Sequence, residues 1–188
     1  MASKKSPRPS ARDRILAAAS DLFYQEGTQN VGIDRIIAES GVAKMSLYNH
    51  FKSKDALITA WLQQRDESWR GWFRETVASL AETPRDRLLA IFDVLAQWFE
   101  QPDFRGCAFI NSTVELVDPE HPGYQVAVGH QQAITAYVLE LVKEADLPDP
   151  EVLTQQLLVV IEGAIVVAMM QGSADAAHSA KQVAAALI

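Results

Sequence analysis

Apolar side chains recur at intervals of three and four residues along most of the chain, and this spacing most constrains the fold. Residues spaced in this way share one face of an α-helix, which can be buried against a core. Alternation with a period of two, which is typical of a half-buried strand, never persists long enough to predict a sheet. Prolines and glycines interrupt the helical pattern at intervals. The sequence therefore predicts an all-α protein.

The N-terminal part of the chain predicts three short helices. Ser10 can cap the first helix, and Gly27 ends it. Gly32 begins the second helix, which stops at Gly41, because glycine tolerates the positive φ that a sharp turn often requires. The third helix covers about residues 43–51. These three helices leave little room for a strand in this segment.

Six longer helices follow. They are separated by breaks such as Thr83-Pro84, Pro102 and the Pro148-Asp149-Pro150 cluster, because proline cannot continue a helix without losing a backbone hydrogen bond. The predicted ranges are residues 54–80, 85–101, 104–117, 124–145, 151–171 and 174–188. We expect the helix over 104–117 to be broken.

The charge is distributed unevenly along the chain. The net charge is −7, which taken alone argues against a nucleic-acid partner. Residues 1–60, however, carry nine Lys or Arg and six Asp or Glu, whereas residues 61–188 carry eight and eighteen. A basic segment joined to an acidic body suggests a nucleic-acid-binding module attached to a larger domain.

The cysteine content and the hydrophobic stretches indicate a cytoplasmic protein. The chain has one cysteine, and its N-terminus, MASKKSPRPS, lacks the apolar segment of a signal peptide. The most hydrophobic stretch, Leu157 to Met170, is interrupted by Glu162 and Gly163 and is shorter than the roughly 20 residues of a membrane span. We interpret it as a buried helix that could take part in a subunit interface, and we expect no membrane association.

The second and third helices fit a helix-turn-helix. Gly41 supplies the turn, and Ile37, Val42 and Leu47 supply inward apolar anchors. The other side of the third helix then offers donors, acceptors and one apolar side chain to the major groove of DNA. These residues are Lys44, Met45, Ser46, Tyr48, Asn49 and His50. From this pattern alone, a helical core that binds no DNA stays open as the alternative.

Two runs in this region resemble the TetR family of repressors: ILAAASDLFYQEG at residues 15–27 and VGIDRIIAESGVAKMSLYNHFKSKDAL at residues 31–57. The resemblance implies two roles for the candidate residues. Those that approach bases or the adjacent backbone are Lys44, Met45, Ser46 and Asn49. Those that position the helix on phosphates are Tyr48, His50 and Lys54. The partner implied is double-stranded DNA.

Several positions depart from the common family pattern. Gly32 and Ala43 replace hydroxyl-bearing N-caps, which weakens each helix start by about 1 kcal/mol or less. Met45 stands where glycine is frequent, and Ile37 stands where a small residue is common. These departures leave the fold assignment intact but change the expectation of which bases are read.

The resemblance also implies that the C-terminal part encloses a cavity for a small-molecule effector of unknown identity. Aromatic side chains at helical spacing could line it, although such a stripe is more often part of a core. The candidate pocket residues are Trp69, Phe73, Phe92, Trp98, Phe99, Cys107 and Asn111.

The segment FRGCAFINSTVEL, residues 104–116, is the most distinctive feature of the C-terminal part. Its Gly-Cys-x-x-x-Asn pattern resembles a subset of TetR-like regulators, some of which sense electrophiles or oxidants through the cysteine. A position near a helix N-terminus, with Arg105 nearby, would favour the thiolate of Cys107. The alternative is that Cys107 is a small buried packing residue. Asn111 and Glu115, four residues apart, could supply polar groups to a pocket or only cap and solvate the helix.

The last two helices, 151–171 and 174–188, are predicted to pair with their copies in a second subunit as a four-helix interface. The candidate interface residues are Leu157, Leu158, Ile161, Ala164, Ile165 and Ala168. A two-fold dimer can engage a palindromic operator with half-sites about one helical turn apart. The effector, or modification of Cys107, would then act through the helix over 54–80 to release the repressor.

The predicted domains are a flexible arm at 1–10, a helix-turn-helix domain at 11–53 and an effector-binding and dimerisation domain at 54–188. No cofactor and no metal site is predicted, because His121 and His130 lack the clustered spacing of a structural zinc site. Two other classes remain as alternatives: a ligand-binding protein of the same fold that binds no DNA, and, more distantly, a helical enzyme.

Overall fold

The computed structural model describes residues 9–188, and in that part of the chain it contains nine α-helices and no β-strand. The helices are α1 (Ala11–Glu26), α2 (Ile33–Ser40), α3 (Lys44–His50), α4 (Lys54–Leu80), α5 (Pro84–Phe99), α6 (Ala108–Leu116), α7 (Pro122–Glu144), α8 (Pro150–Gln171) and α9 (Asp175–Leu187). The all-α prediction is confirmed. The predicted arm lies outside the described residues except for Pro9 and Ser10.

The largest difference from the predicted helices is at α6. This helix begins at Ala108 rather than at Phe104, because the preceding residues turn through Gly106, whose φ is 82°. Only glycine adopts such a φ without strain. The break that the sequence indicated therefore lies just before Cys107, which becomes the N-cap of α6.

Side chains cap some helices and not others. Ser10 Oγ accepts from the Asp13 N–H at 3.2 Å, and Ser53 Oγ accepts from the Ala56 N–H at 3.0 Å. The N-caps of α2 and α3 are Gly32 and Ala43, which form no side-chain cap. These two short helices therefore depend on packing against their neighbours more than on their own ends.

Two clusters of buried apolar residues form the core. The first joins α1, α2 and α3 to the first half of α4 through Leu57 and Trp61, and it also contains Phe109 and Leu116 from α6. The second joins the second half of α4 to α5, α7, α8 and α9. The predicted domain boundary at residues 53 and 54 coincides with the N-cap of α4, but the first cluster crosses it. The N-terminal helices thus share their core with α4 and α6.

The structure corrects the prediction for the subunit interface. The six predicted interface residues of α8 are each at most 5% exposed and lie in the core of their own subunit. The error arises because α8 is apolar on both sides, so periodicity does not tell which side faces inward. The exposed apolar residues of α8 are instead Val152, Val159, Val166, Val167, Met169 and Met170.

By length and composition alone, α8 could cross a membrane, and among residues 9–188 it is the one helix that could. Its inner side, however, packs against α5, α7 and α9. Leu157 and Ile161 are buried there along with the other inner residues. This is the environment of a core helix, as the sequence predicted.

Candidate nucleic-acid interface and ligand cavities

The turn between α2 and α3 is built around Gly41. Its φ of 61° is left-handed, and its N–H donates to the Ile37 carbonyl. Arg14, on α1, donates from one guanidinium nitrogen to the carbonyl oxygens of Ser40 and Gly41 at 3.2 and 3.3 Å. The first helix thereby fixes the turn that sets the direction of α3.

Apolar anchors hold α3 against the helices behind it. Leu47 is completely buried, and Val42 is nearly so. Phe51, the C-cap of α3, is also buried, and the Arg12 guanidinium lies 5.3 Å from its ring centroid. The third predicted anchor, Ile37, is only half-buried.

The opposite side of α3 faces solvent. The exposed candidate residues are Lys44, Met45, Tyr48, Asn49 and His50, while Ser46 and Lys54 are half-buried. Met45 is 72% exposed, which leaves an apolar side chain on an otherwise polar surface. All seven candidate DNA-binding residues therefore lie on α3 or on the first residue of α4.

Lys44 already has a partner. Its Nζ lies 3.0 Å from Oδ1 of Asp34 on α2, and this hydrogen bond raises the pKa of Lys44. Both side chains are well exposed, and an exposed ion pair exchanges partners at little cost. Lys44 can therefore leave Asp34 for a phosphate or a base edge.

The end of α1 is bonded to α6 and to the turn before it; we call this the α1–α6 junction. The Tyr24 hydroxyl donates to the Gly106 carbonyl at 3.0 Å and accepts from the Arg105 N–H at 2.9 Å. Burial raises the pKa of Tyr24, which keeps its hydroxyl protonated as a donor. At the other end of α6, Oε2 of Glu115 accepts from both the N–H and, at 2.6 Å, the hydroxyl of Thr28.

Sequence reasoning missed most of the α1–α6 junction. Gly27 was interpreted only as a helix terminator, yet it has a φ of 87°, and a Cβ there would stand 2.9 Å from Oε1 of Glu115. Gly27 therefore suits this position through its backbone angle, and a side chain there would displace the Glu115 carboxylate from Thr28. Glu115 was considered as a polar group of a pocket or a cap, and the structure gives it Thr28 as a partner.

The seven candidate pocket residues do not line one cavity. Trp69, Trp98 and Cys107 border an enclosed space of ≈20 Å³, which has room for about one water molecule. Asn111 borders a separate cavity of ≈530 Å³ between α1, α6 and α8, and its side-chain amide donates to the Arg105 carbonyl at 3.0 Å. The remaining three are buried in the second core cluster: Phe73, Phe92 and Phe99.

Contacts between the aromatic rings explain why these side chains fill the space between them. Phe73 stacks on Trp69 with ring centroids 4.6 Å apart, and Phe99 lies 5.8 Å from Trp98. Offset and edge-to-face pairs of this kind are favourable without any ligand. The prediction of a single aromatic-lined pocket is therefore wrong for this conformation.

The side chains of His130, Asp66 and Arg70 form a hydrogen-bonded group next to the enclosed space. His130 Nδ1 lies 2.7 Å from Oδ1 of Asp66, which Arg70 also binds through two hydrogen bonds. Burial raises the pKa of Asp66, but these hydrogen bonds outweigh it and leave the pKa below its usual value. Burial also lowers the pKa of His130, so the neutral ring donates from Nδ1 to the carboxylate. The same ring stacks on Phe109 of α6 at 3.7 Å.

An open cleft of ≈470 Å³ lies between α6, α7 and α8. Its lining is apolar apart from Thr113, Gln131 and Glu162. Glu162 and Phe109 border both this cleft and the enclosed space, so they form the wall between the two. In the sequence, Glu162 stands out only as a charge that interrupts the most hydrophobic stretch. This interruption is the one sequence signal of its place in the cleft.

Of the two alternatives for Cys107, an activated thiol and a buried packing residue, the raised pKa of the thiol favours the second. Cys107 is the N-cap of α6, as the hypothesis requires, but burial raises the pKa of its thiol to about 11. Hydrogen bonds from the backbone N–H groups of Ile110 and Phe109 oppose this rise without overcoming it, and Glu162 adds to it. At neutral pH, Cys107 is therefore a protonated, half-buried thiol in this conformation.

We predict that iodoacetamide alkylates Cys107 slowly at pH 7. A pKa of about 11 instead of the ordinary 9.0 lowers the thiolate fraction about 100-fold, and the thiolate is the nucleophile. Mass spectrometry of the intact protein, with glutathione as the control thiol, measures the rates. The rate should rise about 10-fold per pH unit from pH 7 to 9.5 without levelling off. A rate at pH 7 equal to that of glutathione would contradict this prediction.

Comparison with known proteins gives two family matches that together span most of the chain. Residues 15–61 match the model of bacterial regulatory proteins of the tetR family. Residues 84–184 match the model of the tetracyclin repressor-like C-terminal domain.

Three relatives illustrate the similarity. The transcriptional activator FasR of Mycolicibacterium smegmatis is 31% identical over 72% of this chain and 60% of its own length. The transcriptional repressor NemR of Escherichia coli is 28% identical over 57% of this chain and 54% of its own. The crystal structure of SCO4454, a TetR-family regulator of Streptomyces coelicolor, is 32% identical with a TM-score of 0.82, covering 94% of this chain and 95% of that one.

Proposed function

This chain belongs to the TetR family of bacterial helix-turn-helix transcriptional regulators, and on that premise we propose that it is a dimeric repressor released from a palindromic operator by a small-molecule effector. One observation carries the proposal. The short helix α3 has Leu47 completely buried behind it and a row of exposed polar side chains in front of it. A helix held in this way can enter the major groove as a rigid unit.

The chemistry of this surface supports separate roles in DNA contact. Asn49 can bond an adenine edge with both its donor and its acceptor, and Met45 offers an apolar contact to a thymine methyl group. Tyr48, His50 and Lys54 can donate to phosphate oxygens, which position the helix but carry no sequence information. Lys54 is the first residue of a 27-residue helix, whose N-terminal N–H groups also favour an anion.

The outward side of α8 supports a dimer. Val152, Val159 and Val166 recur every seven residues and are exposed, and Val183 and Leu187 of α9 are exposed as well. Exposed apolar side chains repeated along one side of a helix are typical of an interface. Two copies related by a two-fold axis would bury it against itself and present two α3 helices to one duplex.

The α1–α6 junction supports a route from effector to DNA. The cavities described above border α6. Glu115 of α6 accepts from Thr28, and the turn before α6 is bonded to Tyr24 of α1, the helix whose Arg14 holds the turn that orients α3. A ligand that shifts α6 must therefore strain or break the bonds to Tyr24 or Thr28. Effector and operator would then weaken each other's affinity to the same extent. This route adds to the one through α4 that the sequence suggested.

Two finer points complete the proposal. Relatives include an activator and a repressor by name, and we propose repression because a bound dimer covers the DNA beneath it. We assign release to a bound small molecule rather than to modification of Cys107, because the thiol is protonated and half-buried. The site of action is the DNA in the cytoplasm.

We predict that Lys54→Ala reduces the salt dependence of operator binding. Losing one phosphate contact lowers the slope of log Kd against log salt by about 1 for each α3 helix of the dimer. The operator duplex is first selected from a random pool with the wild-type protein, and fluorescence anisotropy then gives Kd at several salt concentrations. Lys143→Ala, which removes an exposed lysine from the C-terminal end of α7, is the control. An equal change of slope in both variants, or no selected duplex, would refute the assignment.

We predict that Val159→Asp dissociates the dimer. The substitution places a charge in the middle of the apolar surface of α8, where pairing would leave it buried and unpaired. The control is Val114→Asp on α6, since Val114 is 74% exposed and Val159 72% exposed. Light scattering after size exclusion should give a monomer for the first variant and a dimer for the second, with equal helix content by circular dichroism. If both variants are dimers, or if the wild type is a monomer, this interface is excluded.

A further inference from the structure

Glu162 is the only charged side chain along the most hydrophobic stretch of the chain, residues 157–170. It projects from α8 between two spaces: the enclosed aromatic one and the open cleft of ≈470 Å³. A carboxyl group placed among apolar side chains loses hydration, which costs free energy unless a partner compensates for it. Its position therefore needs an explanation beyond packing.

The carboxyl group of Glu162 lacks a charged partner within the described part of the chain. Its Oε2 atom is buried without a hydrogen-bond partner among residues 9–188, and Gln131 supplies the hydrogen bond to the carboxyl group. No Lys, Arg or His in that range forms an ion pair with it. Burial raises the pKa of Glu162 against the effect of Gln131, as expected for an uncompensated acid.

The arginine in the lining of the enclosed space contacts an aromatic ring instead of Glu162. Arg65 borders that space, but its guanidinium lies 3.9 Å from the ring centroid of Tyr24. It is not among the groups that shift the pKa of Glu162. The cleft itself has no basic side chain in its lining, so its one ionisable group is an acid.

Aromatic rings stand beside this acid. Phe109 is the aromatic ring in the lining of the cleft, and Trp69, Trp98 and His130 line the enclosed space of ≈20 Å³ behind it, which is too small for the ligand. The faces of aromatic rings attract cations, and more strongly when water is excluded. A volume of ≈470 Å³ lies within the range of sites for drug-sized ligands.

We propose that Glu162 recognises an organic cation, so that the effector is a hydrophobic molecule bearing one positive charge that enters the cleft between α6, α7 and α8. This inference rests on the proposed function, since it names the chemical class of that effector. The charge of the ligand would lie beside the carboxyl group of Glu162, and its apolar part would lie against Phe109, Ala127 and Val166. An anion of the same shape would be repelled.

A ligand in the cleft would lie beside both α6 and the exposed apolar side of α8. Phe109 and Ile110 in its wall belong to α6, which carries Glu115 of the α1–α6 junction. Val166 belongs both to the cleft and to the exposed apolar side of α8, so the ligand would also lie beside the second subunit. A cation large enough to fill the cleft would therefore press on both elements that determine where the two α3 helices lie.

The test uses two probes of nearly equal shape and opposite charge, tetraphenylphosphonium and tetraphenylborate. Isothermal titration calorimetry measures their binding to the full chain without DNA. The Glu162→Gln variant keeps the size of the side chain and removes its charge. Glu144→Gln, which removes an exposed negative charge from the end of α7, controls for the change in net charge. Because the charge of Glu162 has no partner to lose, we expect Glu162→Gln to fold with an unchanged or higher melting temperature.

The proposal predicts that tetraphenylphosphonium binds the wild type and Glu144→Gln equally and binds Glu162→Gln about 10-fold more weakly or worse. Tetraphenylborate should bind the wild type more weakly than the phosphonium does, and it should gain affinity in Glu162→Gln. Equal phosphonium affinity in the wild type and Glu162→Gln, no phosphonium binding to the wild type, or tighter borate binding by the wild type would overturn it. The readout needs no operator, so a failure of DNA binding would refute the proposed function alone.

Discussion

The hydrogen bonds that Thr28 donates to Glu115, and those that Tyr24 forms with the turn before α6, are the constraint on which the account depends. Besides these bonds, the N-terminal helices are attached to the body by the chain through α4, by apolar contacts, which tolerate sliding, and by the exposed hydrogen bond that Gln25 donates to the Asp103 carbonyl. Directional bonds at both ends of α6 instead fix the end of α1. Arg14 of α1 then fixes the turn that aims α3. A displacement of less than 1 Å at α6 is thus enough to break a bond.

The two sides of α8 lie in different environments. The inner side of α8 is buried in the core, and its outer side carries exposed apolar residues, which we propose pair with a second subunit. Glu162 lies at the edge between the two, beside α6 and the open cleft. The proposed effector cleft, the proposed subunit interface and the α1–α6 junction consequently meet within one group of helices. A ligand there could change the spacing of the two α3 helices without acting on α3 itself.

Much of the fold could be predicted from sequence, because periodicity and helix-breaking residues are local signals. The helix-turn-helix was predicted for this reason, since Gly41, Leu47 and the polar side of α3 are close in sequence. The inward side of α8 could not be predicted, because both of its sides are apolar. The Thr28 and Glu115 partners are 87 residues apart, and nothing local marks them as a pair. The pKa of Cys107 depends on burial, which spacing does not reveal.

The central claim is that the α1–α6 junction determines how α3 meets DNA, and a double-mutant cycle tests it most directly. Operator Kd is measured for the wild type, Glu115→Gln, Thr28→Val and the double variant, each shown to be folded by its melting curve. The account predicts that each single variant weakens binding about 5-fold or more and that the double variant loses less than the two single losses combined, since Glu115→Gln weakens and Thr28→Val removes a hydrogen bond at the same carboxyl group. Equal Kd values for all four proteins, or losses of binding free energy that simply add in the double variant, would contradict it.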